Sequence, residues 1–175
     1  MDRFRAVFGA TRPVIAMVHL PALPGTPLYD AGAGIEGILD SARADLAALT
    51  AAGVDAVMFG NENDRPYQLK VDTASVATMA WVIGRLTAGL DIPFGVNVLW
   101  DGEATVSLAA ATGAAFAREI FTGLYASDMG LWAPDAGAAL RRRRALGRED
   151  LALLFNVAAE FAASLDARPL ADRAR

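Results

Sequence analysis

Hydrophobic and polar positions follow each other along the chain in an order that predicts five strands and four intervening helices. Apolar, strand-like runs at 14–18, 56–59, 94–96, 115–117 and 151–155 each lead into polar residues. Between them, apolar residues recur at helical spacing over 35–52, 72–90, 102–112 and 135–146. Strands that alternate with helices through short connections are typical of a parallel sheet. The strands are continuously apolar, which favours helices covering the sheet on both faces.

Two folds accommodate these five units. One is a (β/α)8 TIM-type barrel of which about five units are present, and the other is a flavodoxin-like open parallel sheet. A complete barrel takes about 250 residues, and this chain has 175. Arg118 shares a face of its predicted strand with Phe116 and Ile120. An inward polar residue near a strand end is ordinary in a barrel mouth, so we predict an incomplete barrel, with residues 1–175 as a single domain.

Composition and charge remove several classes of function. With 54% hydrophobic and 21% charged residues, the chain is not expected to be disordered. Its net charge of −4 predicts no nucleic-acid partner. Without cysteine and with one histidine, it has no disulfide, thiolate metal site or multi-histidine zinc site. No apolar run reaches the roughly 20 residues of a membrane span, and no signal-peptide core is seen, so we expect a cytoplasmic protein.

The candidate catalytic residues are His19, Glu62 and Asp128. His19 directly follows the first strand, and histidine is the side chain whose ordinary pKa lies near neutrality, which suits a general acid or base. Glu62 and Asp128 are carboxylates on loops that follow predicted strands. The alternative is that His19 orders the proline-rich loop 20–27 and that both carboxylates are merely solvated.

The candidate ligand-binding residues lie at the same strand ends: Asn61, Asn97, Arg118 and Asn156. Asparagine is a poor strand former, and its neutral amide suits a substrate hydroxyl. Arg118 suits a phosphate or carboxylate, or else pairs with Glu62 or Glu119. In a regular strand Glu119 faces away from Arg118, so both enter one cavity only if the strand ends there. No resident cofactor or metal is expected; Mg²⁺ is the one ion that the loop carboxylates and amides suit.

The chain resembles the BtpA/SgcQ family in seven segments that occur in the same order along nearly its whole length. They are VIAMVHLPALPGTP at 14–27, GVDAVM at 53–58, GVNVL at 95–99, FAREIFTG at 116–123, SDMGL at 127–131, RRALG at 143–147 and RPL at 168–170. At 60–64 the chain has GNEND and at 156–161 NVAAEF, where many members have ENFGD and DVxVKH. These departures place it nearer the SgcQ-like branch.

The resemblance implies a barrel similar to the ribulose-phosphate-binding barrels, continuing in full-length members for about three more units. It also implies one of two functions. SgcQ-like relatives are linked to sugar-uptake gene clusters, which implies an enzyme for a small sugar-related, phosphorylated or unphosphorylated metabolite. Cyanobacterial relatives are linked to photosystem I biogenesis, which implies a non-catalytic assembly factor. For the 175 residues alone we expect an oligomer, or complementation by the remaining barrel segment.

Overall fold

A computed structural model describes residues 3–174 and contains one parallel and one antiparallel sheet. The parallel sheet has five strands: β1 (Ile15–His19), β2 (Ala56–Gly60), β3 (Phe94–Asn97), β4 (Phe116–Glu119) and β7 (Ala152–Phe155). The antiparallel sheet has three: β5 (Tyr125–Ser127), β6 (Gly130–Trp132) and β8 (Ala162–Ser164). The helices are α1 (Arg3–Phe8), α2 (Gly34–Ala51), α3 (Thr73–Leu86), α4 (Gly102–Thr112), α5 (Ala136–Ala145) and α6 (Leu170–Arg173). Among residues 3–174, no helix is both long and apolar enough to cross a membrane.

Aspartate caps begin three of the four helices that connect the parallel strands. The side chains of Asp72, Asp101 and Asp135 accept hydrogen bonds from backbone N–H groups in the first turns of α3, α4 and α5. Each cap satisfies a donor that the helix itself leaves free. Helix α4 ends at Gly113, which has a φ of 77° that glycine adopts without strain. These local signals explain why the predicted helix starts lie within two residues of the observed ones.

The parallel sheet has the order β1-β2-β3-β4-β7, so each strand lies beside the strand that precedes it in the parallel series. All four pairings are parallel, and the register places His19 beside Gly60 and Gly60 beside Asn97. A flavodoxin-like sheet has the order 2-1-3-4-5, with its first strand in the interior. Here β1 is an edge strand, so the flavodoxin-like alternative is wrong. The prediction of an α/β fold with a five-stranded parallel sheet is confirmed.

The two faces of the parallel sheet are covered differently. Helices α2 to α5 pack on one face, where they share a single apolar core with residues such as Val57, Phe59 and Val96. On the other face, α1 contributes Phe8, which is buried against Phe116 with a ring separation of 5.0 Å. Short α1 therefore covers the amino-terminal half of this face. Polar side chains occupy the carboxyl-terminal half of this face. The sheet therefore differs from the prediction, in which helices cover both faces.

Gly95 of β3 makes room for an aromatic side chain on this second face. A Cβ at Gly95 would overlap the ring of Phe116, its register partner in β4. The absence of a side chain at Gly95 therefore makes room for the aromatic residue on the neighbouring strand, as close side-chain approach in a sheet requires.

The segment 122–134, which lies between the fourth predicted strand and the fourth predicted helix, contains the β5–β6 hairpin. Tyr125 stands opposite Trp132 in the antiparallel register, and the two rings stack at 4.7 Å. The turn uses Gly130 with a φ of 87°, and β8 adds to the free side of β5. Three-residue strands are too short for alternation to predict, and the third strand of this sheet, β8, pairs with β5 from more than 30 positions away. Helix α1 was likewise not predicted.

Candidate functional site

Polar side chains from four of the five parallel strands or their following loops meet at the carboxyl ends of the sheet. They line a cleft of about 420 Å³, here called the acid cleft. Of the predicted residues, it contains Glu62, Asn97, Arg118 and Asn156. The acid cleft also contains Glu119 and the exposed Glu160, so three glutamates, an arginine and two asparagines share one concave surface. Such a cleft at the strand ends is the usual place of a site in α/β proteins.

Glu119 is the most enclosed charged group of the cleft, with 3% of its surface exposed. Strand β4 ends at this residue, which allows Glu119 and Arg118 to line the same cavity. Asn97 Nδ2 donates a hydrogen bond to Glu119 Oε2, and the backbone N–H of Trp100 donates to the same oxygen at 3.2 Å. The backbone N–H of Ile120 donates to Oε1 at 2.7 Å. The carboxyl group is therefore held in one orientation from both sides.

Burial raises the pKa of Glu119 from 4.5 to about 7, because the charged form loses its hydration. The hydrogen bonds from Ile120, Asn97 and Trp100 and the charge of Arg118 oppose this rise. A carboxyl group with this pKa holds and releases a proton near neutral pH. It therefore suits general acid–base chemistry.

Glu62 forms the second acidic group, in contact with His19. His19 Nε2 lies 3.5 Å from Glu62 Oε1, with His19 half exposed and Glu62 largely covered. The carboxylate folds back over Gly60, where a Cβ would overlap Oε2. Burial raises the pKa of Glu62, and the charges of His19 and Arg118 reduce that rise. The structure thus brings two predicted catalytic residues, His19 and Glu62, into contact.

Arg118 supplies the positive charge of the cleft. Its Nε is buried and has no hydrogen-bond partner among residues 3–174. The positive charge of Arg118 reduces the rise in the pKa of both Glu62 and Glu119. A guanidinium with an unused, desolvated N–H can donate a hydrogen bond to a carboxylate or phosphate oxygen.

Asn61 and Asp128 lie outside the acid cleft. Asn61 Oδ1 accepts from the backbone N–H of Leu99 at 2.7 Å, and its Nδ2 donates to Asp64 at 3.0 Å. Asp64 in turn accepts from the backbone N–H of Leu23 at 2.8 Å. These contacts tie together the loops that follow β1, β2 and β3. The ligand-binding role of Asn61 stays a prediction, because its amide oxygen and amide nitrogen both make hydrogen bonds within the fold.

Asp128 lies in the β5–β6 turn, exposed, and lines a neighbouring cleft of about 800 Å³. Its catalytic role also stays a prediction. In the described part of the chain, no three histidine, cysteine or acidic side chains form a group that could hold a metal ion. The carboxylates considered for Mg²⁺ are thus spread over separate places, with Asp64 in the loop contacts, Glu62 in the acid cleft and Asp128 in the larger one.

Glu119 and Trp100 were not among the predicted catalytic or ligand-binding residues. Glu119 was expected to face away from Arg118 unless the strand ended there, and β4 does end at Glu119. Trp100, three residues after β3, has a φ of 69°, which no sequence pattern indicates. The sequence signal that could have found Glu119 is an acidic residue at the end of an apolar run. Its depth and hydrogen bonds depend on Asn97, 22 positions away.

The fold and cleft define an α/β protein whose parallel strands present a polar, partly desolvated site at their carboxyl ends. The BtpA family model matches residues 10–175, and the chain belongs to the BtpA family. The family prediction made from the seven segments is therefore confirmed.

Curated relatives support the same assignment. The chain is 47% identical to the sgc region protein SgcQ of Escherichia coli over 175 residues, all of this chain and 65% of that protein. It is 35% identical to the photosystem I biogenesis protein BtpA of Synechocystis over 168 residues, 94% of this chain and 57% of that protein. An uncharacterized protein of Thermococcus kodakarensis is 38% identical over 122 residues, 69% of this chain and 46% of that protein. The chain thus spans less than two thirds of the length of each of these relatives. No solved structure matches it significantly.

Proposed function

We propose that this chain carries the proton-transfer site of an enzyme that acts on a small, sugar-related metabolite with an anionic group, such as a phosphate. The observation that carries the proposal is the acid cleft itself. A carboxyl group with a pKa of about 7, Glu119, shares it with Glu62, which lies 3.5 Å from His19, and with the unpartnered donor of Arg118. An enzyme that acts on a sugar phosphate uses acid–base groups for proton transfer and a positively charged group to bind the phosphate.

In this proposal the residues of the acid cleft have different roles. Glu119 and the His19–Glu62 pair give and take protons at a substrate hydroxyl or at a carbon beside a carbonyl. Asn97 holds Glu119 and orients a substrate hydroxyl, and Arg118 binds the anionic group. Isomerisation, aldol-type cleavage and hydrolysis all use such proton transfers.

We also propose that the five parallel strands form part of the wall of a β/α barrel. Sequential strand order with helices α2 to α5 on one face supports this, because a barrel wall has the same arrangement. The polar face would then line the barrel mouth.

The test is calorimetric titration of the purified protein with ribose 5-phosphate, glucose 6-phosphate and mannose 6-phosphate, each beside its unphosphorylated sugar. We expect at least one phosphate to bind, and Arg118→Ala to weaken it by about 10- to 100-fold, the usual effect of losing a charge-assisted hydrogen bond. The unphosphorylated sugar should bind the variant and the parent equally. The control is Arg141→Ala on the exposed side of α5. Absence of binding across the panel would refute the proposal.

The rival function is an assembly factor without catalysis. The 35% identity to the photosystem I biogenesis protein BtpA favours it. It predicts a stoichiometric protein partner in pull-downs from the native cell, captured equally well by the parent and by Arg118→Ala. Loss of the cellular phenotype in Arg118→Ala would favour the enzyme.

A further inference from the structure

The cleft of about 800 Å³ next to the acid cleft is here called the aromatic cleft. Three aromatic side chains line both clefts: Tyr67, Trp100 and Phe161. Trp100 is also the residue whose backbone N–H holds Glu119 Oε2 at 3.2 Å. The two clefts are therefore adjacent, and Trp100 lines both of them.

The aromatic cleft has an apolar floor and a polar rim. Its apolar residues Leu69, Trp100 and Met129 are buried or partly buried, whereas Gln68 and Asp128 at its edge are exposed. Ligand sites commonly combine an apolar lining with a few placed polar groups. A ring with an apolar face suits this floor, and the rim offers partners for hydroxyl groups.

Backbone strain is concentrated at the boundary between the two clefts. Among residues 3–174, Trp100 and Phe161 are the two non-glycine residues with a left-handed φ, at 69° and 57°. Such conformations cost free energy in bulky residues and cluster at ligand-binding sites. Trp100 is 8% exposed, and its Nε1 has no hydrogen-bond partner among the described residues. Phe161 is 81% exposed, unusual for so large an apolar side chain.

We propose that the aromatic cleft is a second subsite, which binds a ring with an apolar face carried by the same substrate whose reacting sugar lies in the acid cleft. The inference rests on the proposed function and narrows its substrate class to glycosides or disaccharides. Trp100 forms the inner wall for the second ring and Phe161 its outer edge. Because Trp100 also holds Glu119, a ring stacked on it lies at a set position relative to the proton-transferring group.

The test compares methyl and phenyl glycosides of glucose 6-phosphate and mannose 6-phosphate by calorimetry and by tryptophan fluorescence. A disaccharide phosphate of each sugar serves as a further arm. We expect the phenyl glycoside or the disaccharide to bind about tenfold more tightly than the methyl glycoside, the usual gain from one stacked ring. Tryptophan fluorescence should change with the phenyl glycosides and the disaccharide phosphates but not with the methyl glycosides.

Two variants locate the effect. Trp100→Gly removes the ring at a position whose φ glycine adopts freely, so ring loss is not confounded by backbone strain. Phe161→Ala changes an exposed residue and should leave the fold intact. Both should reduce the preference to about twofold or less, whereas Trp81→Ala on α3, outside both clefts, should keep it.

Equal binding of methyl and ring-bearing ligands overturns the second subsite while leaving the proposed function intact. A preference that persists in both variants does the same. If neither the glycosides nor the sugar phosphates bind, the proposed function fails and this inference with it.

Discussion

Replacing Glu119 with glutamine should remove a large part of the dependence of stability on pH. The carboxyl group is 3% exposed, and its pKa is about 7 in the folded protein, against an ordinary value of 4.5. Between these two pH values the folded protein keeps a proton at Glu119 that the unfolded chain has released. The folded state is therefore stabilised by this group at low pH, and the stabilisation is lost as the pH rises from 4.5 through 7.

The size of the effect follows from the two pKa values. One pKa unit corresponds to about 1.4 kcal/mol, so a rise from 4.5 to about 7 corresponds to about 3 kcal/mol of unfolding free energy. Glutamine has a similar shape and stays neutral throughout. Relative to the parent, Glu119→Gln should thus gain about 3 kcal/mol between pH 4.5 and pH 8.

The assay is urea unfolding of both proteins at several pH values from 4.5 to 8, at one fixed protein concentration. Other groups with raised pKa values, Glu62 and Asp64, contribute to both proteins, so the difference between parent and variant isolates Glu119. Glu36→Gln, at an exposed site in the first turn of α2, serves as the control and should leave the pH profile unchanged. Parallel profiles for the parent and Glu119→Gln would refute the reasoning.

Two further predictions concern packing. Gly95→Ala should lower the unfolding free energy by about 1–3 kcal/mol, because the added Cβ overlaps the Phe116 ring, as measured by urea unfolding. The 175 residues should also self-associate in sedimentation velocity, because β1 and β7 each lack a second neighbouring strand among the described residues and Phe155 and Phe161 are exposed.

Each packing prediction has its own control. Gly84→Ala in the interior of α3 meets no atom within 4 Å and should be neutral or stabilising by up to about 1 kcal/mol. If both glycine variants lose the same stability, overlap with Phe116 is not the cause. A sample that sediments as a monomer and unfolds cooperatively would contradict self-association.

The order of strands and helices could be predicted because each element carries its own signal. Apolar runs predicted the parallel strands, and apolar residues at helical spacing predicted the helices between them. In the structure Asp72 and Gly113 cap helix ends through contacts that span only a few residues. The apolar runs also placed Asn97 and Arg118 at strand ends, and both line the acid cleft. The hairpin and α1 were missed because their stability comes from distant contacts, such as Phe8 on Phe116.

The sequence by itself determined the α/β class, the family and the location of the polar residues at the carboxyl ends of the parallel strands. Only the tertiary structure decided which of those residues share a cavity. Asn61 makes contacts between loops, Asp128 lines the aromatic cleft, and Glu119 lines the acid cleft. The physical reason is that burial and the pKa of a carboxyl group depend on atoms from several strands at once. No local pattern in the sequence contains that information.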